Sequence, residues 1–198
     1  MANIPRIVLT GGPGGGKSTT LKWLESTMPE LHLTPEAATA ILQSGFPMPG
    51  IYRPWTPEWQ KSFQIAVWGM QIGLDQIAEQ DARLSGALAI VQDRSTIDPV
   101  AYFESIAAYE QHLDTKLPTE LGKVSMGIFF PTYAGTPHFD NSTNEHRFEE
   151  QDTMIGINDK LMQAWKQHPN MYIIDTPKLQ DRVIAAEELI RLHLKGEL

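Results

Sequence analysis

The stretch Gly11-Gly12-Pro13-Gly14-Gly15-Gly16-Lys17-Ser18-Thr19 satisfies the pattern G-x-x-x-x-G-K-[ST]. Each residue type in it answers a requirement of phosphate binding. Glycine permits the unusual dihedrals of a tight turn and lets backbone N–H groups close on phosphate oxygens. The N-terminus of a following helix adds positive potential. Lys17 is placed to bridge a β- and a γ-phosphate, and Ser18 to ligate Mg²⁺. Gly12, Pro13, Gly14, Gly15, Gly16, Lys17, Ser18 and Thr19 are therefore the candidate nucleotide-binding set, with ATP the expected ligand and GTP its alternative.

Such a loop serves kinases, GTPases, ATPase machines and switches alike, so the discriminating residues lie elsewhere. In a parallel α/β sheet they gather beyond the carboxyl ends of other strands. Glu36, the run Asp93-Arg94-Ser95, and Asp175 all follow apolar runs in this way. Asp93 suits a contact with Mg²⁺, joining Ser18 as a candidate metal residue. Arg94 can hold an anionic or hydroxyl-bearing acceptor. Glu36 can take a proton from an attacking hydroxyl or orient it.

Each has a structural alternative: a first-turn helix carboxylate for Glu36, an ion pair for Asp93 and Arg94, a cap for Asp175. Arg147 is the sole Lys or Arg between Lys123 and Lys160. It stands where a polar loop meets a helix, suited to neutralising charge on a transferring phosphoryl, or to pairing with Glu150 or Gln151. Lys17, Glu36, Asp93, Arg94 and Arg147 form the candidate catalytic set. His138 and His146 suggest a metal pair, but no further ligand completes it. Tyr52, Arg53 and Trp55 can wall an acceptor pocket, pack on the next helix, or form a homodimer contact.

The elements that position these residues alternate short apolar runs with longer amphipathic ones, which predicts α/β architecture with parallel strands. Strands are expected at 6–10, 31–34, 87–91, 123–130 and 171–174. Helices are expected at 17–27, from Pro35 onward, and at 58–83, 98–111, 145–167 and 178–194. Between residues 44 and 57 four prolines punctuate a long loop. Trp59, Phe63, Ala66, Val67, Met70, Leu74, Ile77 and Ala78 recur at helical spacing, and core packing is the simplest use of them. The expectation is one domain over 1–198 with a lid region near 132–150.

The chain has 198 residues and a net charge of −8, which disfavours nucleic acid and anionic membranes as partners. It contains no cysteine, which excludes disulfides, thiol nucleophiles and Cys-ligated metals. No apolar run approaches the ~18 residues of a membrane span, and no signal-peptide core precedes the glycines, so a cytoplasmic protein is expected. A guanine-reading Asn-Lys-x-Asp is missing, which disfavours a signalling GTPase.

Thr10 to Thr20, Pro35-Glu36-Ala37-Ala38, Gln92-Asp93-Arg94-Ser95 with Pro99-Val100-Ala101-Tyr102, and Arg147-Phe-Glu-Glu together carry a family resemblance. Over roughly residues 5–195 the chain resembles P-loop ATPase/kinase domains of the NadR/TRPL-translocation-defect type. These AAA ATPase-like domains include the ribosylnicotinamide-kinase part of NadR and are similar to nucleoside and thymidylate kinases. The resemblance implies a three-layer P-loop NTPase with a five-stranded parallel sheet in the order 2-3-1-4-5, flanked by helices. It also implies Mg²⁺-nucleotide on Gly12 to Thr19, acceptor roles for Glu36, Asp93 and Arg94, and Arg147 as lid arginine. Relatives often carry paired lid arginines, whereas His146 precedes Arg147 here. The expected activity is transfer of the γ-phosphoryl of ATP to a nucleoside- or nucleotide-like acceptor. A nucleotide-binding regulator with slow hydrolysis is the alternative. An oligomeric ATPase motor or polynucleotide kinase is less favoured by the small size and sparse cations.

Overall fold

The computed structural model describes residues 4–50, 54–136 and 151–198. Five strands, β1 (Arg6–Gly11), β2 (Leu31–Thr34), β3 (Ala89–Asp93), β4 (Met126–Phe130) and β5 (Met171–Ile173), form one sheet. All neighbours pair in parallel, in the order β2-β3-β1-β4-β5. The sequence expectation for order and direction holds. The helices are α1 (Lys17–Thr27), α2 (Ala37–Gln43), α3 (Pro57–Ser85), α4 (Ile106–Leu113), α5 (Leu117–Leu121), α6 (Gln151–Trp165) and α7 (Leu179–Lys195). Among the described residues no helix is long and apolar enough to cross a membrane.

Helices cover both faces, which is why the central strands are continuous apolar runs rather than alternating ones. Alternate residues of β1 serve opposite cores. Ile7 and Leu9 pack with Val91, Ile128, Leu24 and Ile190 on the side of α1 and α7. Val8 packs with Phe129, Ile97, Tyr109 and Trp165 on the other. Gly127 admits the Trp165 ring so closely that a Cβ there would sit 2.8 Å from it. β2, β3 and β1 are neighbours in the sheet, and their carboxyl ends place the site.

Three boundaries depart from the periodicity. β3 starts two residues later than expected, because α3 runs to Ser85 and Gly86 (φ +72°) closes it. Ala87 N–H still bonds Ala82 O, so the ladder begins only afterwards. β3 also ends two residues later than expected, so Asp93 is its last residue rather than one that follows the strand. The helix expected over 98–111 is instead a 3-10 turn at Asp98–Tyr102, then a break, then α4. Ser105 restarts the helix by accepting from Ala108 N–H, as N-cap residues do. α5 was not expected. Its last turn consumes Lys123 and Val124, whose N–H groups bond Glu120 and Leu121 carbonyls, so β4 starts at Met126.

Candidate functional site

The phosphate loop leaves β1 at Gly11 (φ +119°), where a Cβ would lie 2.1 Å from Phe130 O. Only glycine fits that position. Gly14 (φ +75°) and Gly16 (φ +102°) are also left-handed, and Gly16 caps α1. α1 has no acidic residue in its first turn, so nothing on the helix itself competes with an anion at that end. Lys17 is buried, and its Nζ donates to Gly11 O at 3.1 Å and Gly12 O at 2.9 Å. Burial, with Arg94 second, lowers its pKa to about 8.

Ser18 Oγ donates to Asp93 Oδ2 at 2.6 Å, joining the first turn of α1 to the end of β3. Asp93 Oδ1 is buried and has no hydrogen-bond partner. Burial, then the nearby Glu36 charge, raises the Asp93 pKa to about 6. Among the described residues no group of three or more acidic or histidine side chains can hold a metal. One carboxylate with a spare oxygen beside one hydroxyl nevertheless fits Mg²⁺, which is commonly held by one or two protein oxygens plus phosphates and water.

The folded chain keeps the Asp93 proton to higher pH than the unfolded chain does. Its contribution to stability is therefore lost as pH rises from about 4 through 6. Asp93→Asn should raise stability at pH 7 by about 1–3 kcal/mol while flattening that pH dependence. Thermal unfolding between pH 4 and 8 checks this, and an unchanged pH profile would contradict it.

Next to Asp93, Arg94 takes a left-handed backbone (φ +68°), unusual for a non-glycine residue. That conformation is held from both ends. Its N–H bonds Leu9 O at 2.9 Å, and its guanidinium turns inward. Nε donates to Glu36 Oε1 at 2.7 Å, and one terminal nitrogen lies 3.3 Å from Asp98 Oδ1 and 3.5 Å from Gly11 O. Burial works to lower the Arg94 pKa. Tyr102, Glu36, Asp98 and Asp93 outweigh it and drive the pKa above its ordinary value.

Glu36 occupies the N-cap position of α2 without capping it. Its other oxygen accepts from Thr39 Oγ1 at 2.6 Å. Burial works to raise the Glu36 pKa, but Arg94 and Thr39 prevail and hold it below the usual carboxylate range. The structure thus brings Lys17, Ser18, Glu36, Asp93 and Arg94 together at the carboxyl ends of β1, β2 and β3.

Two members of this cluster escaped the sequence reading. Asp98 is buried and accepts from Thr10 Oγ1 at 2.8 Å and from Ser95 N–H and Oγ at 3.2 and 3.0 Å. Its partners lie on β1 and on the turn after β3. The only local signal was an acid before Pro99 at a helix start. Arg182, on α7, donates to Gly15 O at 2.6 Å and Thr176 O at 2.5 Å. It also lies over the Tyr133 ring at 3.8 Å. It ties the phosphate loop to the segments after β4 and β5, and no spacing signalled it. Asp175 is placed on this side too, accepting from Tyr133 OH at 3.0 Å, apart from the Arg94 cluster. Arg147, His138, His146, Tyr52 and Arg53 lie outside the described residues.

A family model described as AAA domain matches residues 6–182. No curated protein gives a significant match. Among solved structures, thymidylate kinase from Candida albicans is similar, with a TM-score of 0.65 and 14% identity, over 98% of this chain and 93% of that one. At that identity the likeness is one of fold: a P-loop kinase-like arrangement of sheet and helices.

Proposed function

The chain belongs to the AAA domain family, and on that premise we propose that it is an ATP-dependent phosphotransferase acting on a nucleoside- or nucleotide-like acceptor. The observation that carries this reading is the dipeptide Asp93-Arg94. One residue faces Ser18 and the phosphate loop, and the next faces Glu36. A nucleotide end and an acceptor end are therefore adjacent, and phosphoryl transfer depends mainly on such positioning.

In this reading backbone N–H groups of Gly12 to Gly16 and Lys17 Nζ bind the β- and γ-phosphates. Lys17 leaves the Gly11 and Gly12 carbonyls to do so. Ser18 and Asp93 would hold Mg²⁺, which would supply charge neutralisation at the phosphates. An acceptor oxygen forms a bond to the γ-phosphorus as the bond to the β–γ bridging oxygen breaks, and ADP leaves. A hydroxyl acceptor gives its proton to Glu36, and Arg94 orients the acceptor. Arg147 is assigned the lid role of neutralising the transferring group.

An acceptor screen tests this. A compound in a nucleoside and nucleotide panel should raise ADP production at least tenfold over ATP alone, with phosphate appearing on the acceptor. Stimulation by none would sink the kinase reading in favour of a nucleotide-binding regulator.

A further inference from the structure

What a phosphate loop can bind depends on where its peptide groups point. A trans peptide sets each C=O opposite the N–H of the next residue. A carbonyl held away from the phosphate space therefore aims the following N–H into it. Two carbonyls of this loop are held by side chains that lie far outside the glycine motif. Thr132 Oγ1 donates to Pro13 O at 2.7 Å, and Arg182 donates to Gly15 O at 2.6 Å. The peptides so held carry the N–H groups of Gly14 and Gly16. Among the described residues no acceptor takes either N–H. Backbone donors seldom go unpaired, so these two await a partner from outside the chain.

Both holding residues are themselves fixed. Thr132 N–H donates to Asn158 Oδ1 of α6 at 3.0 Å, and a Cβ on Gly12 would lie 2.7 Å from the Thr132 Cβ. From α7, Leu179 reaches the loop one turn before Arg182, where a Cβ on Gly16 would lie 2.6 Å from its Cδ1. Arg182 is 3% exposed, yet no ion pair engages it among the described residues. Its partners are the carbonyls of Gly15 and Thr176 and the face of the Tyr133 ring. Burial lowers its pKa against the raising influence of Tyr133 and Asp175. A buried cation with no carboxylate beside it is costly to keep, and an arriving polyanion offsets that cost.

We propose that Thr132 and Arg182 are positioning residues for the phosphates of a bound nucleotide. Thr132 holds the Gly14 N–H, and Arg182 the Gly16 N–H, in the orientation that meets phosphate oxygens. The guanidinium adds a fixed positive charge behind the loop. This rests on the nucleotide-binding half of the phosphotransferase reading and is independent of the acceptor.

Amide NMR and calorimetric titration of the full chain test it, with MgATP and with magnesium tripolyphosphate as a base-free probe. In the parent both probes should bind and shift the Gly14 and Gly16 amide protons downfield. Thr132→Val keeps the shape and loses the hydroxyl. It should weaken both probes at least tenfold and diminish the Gly14 shift. Thr132→Ser keeps the hydroxyl and should stay within threefold of the parent. Arg182→Gln should weaken both probes at least tenfold and diminish the Gly16 shift. The two Thr132 variants decide the case if Arg182→Gln does not fold. Binding within twofold of the parent in Thr132→Val, or in folded Arg182→Gln, overturns the proposal. An equal loss in Thr132→Ser and Thr132→Val overturns it as well, because packing alone would then explain the effect. So does a loss confined to ATP with tripolyphosphate binding intact, which would place these residues at the base or ribose. A parent that binds neither probe overturns it together with nucleotide binding. A parent that binds both probes but transfers phosphate to no acceptor removes only the kinase reading and leaves the positioning roles standing.

Discussion

Lys17→Met should lower acceptor-dependent ADP production by about 10²- to 10³-fold, the scale of losing one preorganised charge at a developing phosphoryl. The same substitution should change folding stability by no more than about 1 kcal/mol, because two opposing terms nearly cancel. In the free chain the ammonium satisfies the Gly11 and Gly12 carbonyls, and those bonds are lost. Yet it is a buried cation with no carboxylate in direct contact among the described residues, and burial already depresses its pKa to about 8. A group kept at a cost in the free chain, and bonded among the described residues to the loop it must leave, is poised for an incoming anion. A pH dependence follows with a definite sign. Phosphate binding favours the charged lysine, so ATP affinity should fall as pH rises above about 8, up to tenfold per unit. The Met variant should lack that dependence. Steady-state ADP release and ATP titration from pH 6 to 9.5 check both. Turnover within tenfold of the parent would remove Lys17 from the mechanism.

The parts of this site that could be read from sequence are those whose determinants are local. The phosphate loop needs glycines at set offsets from Lys17, and strand order follows from the family pattern. Glu36 and Asp93-Arg94 could be nominated because parallel sheets build sites at strand ends. Asp98 and Arg182 could not, since their meaning is a contact 88 residues away with Thr10 and 167 away with Gly15. A helical stretch with an arginine on it does not reveal which distant carbonyl the arginine reaches. The helix broken at Phe103 shows the same limit. The 98–111 segment has acceptable helical spacing. Tertiary demands on Asp98 by Thr10 and Ser95, with Ser105 capping α4, override that preference locally.

Arg94→Ala should unfold the chain more readily, by about 3–5 kcal/mol, and impair transfer as well. The reason lies in what the guanidinium leaves behind. Glu36 and Asp98, both facing it, would be partly or wholly buried carboxylates without their cation. Some of the loss is offset, since Arg94 holds a left-handed backbone that costs about 1–2 kcal/mol for a non-glycine residue. Arg94→Gly should therefore be more stable than Arg94→Ala, despite the usual entropic penalty of glycine.

A drop in activity of Arg94→Ala alone would thus not distinguish acceptor binding from a loosened site. Two further variants separate them. Adding Glu36→Gln to Arg94→Ala removes one stranded charge, so stability should partly return while transfer does not. Arg94→Lys keeps a cation near Glu36 but loses the planar fork that meets Glu36 and Asp98 together. It should leave ATP affinity within twofold and lower acceptor-dependent turnover at least tenfold. Equal loss of ATP affinity and acceptor use in Arg94→Lys would assign Arg94 to the frame of the site. Loss confined to the acceptor would place the guanidinium where the second substrate is held. The ion pairs with Glu36 and Asp98 would then be the means of holding a strained residue in place.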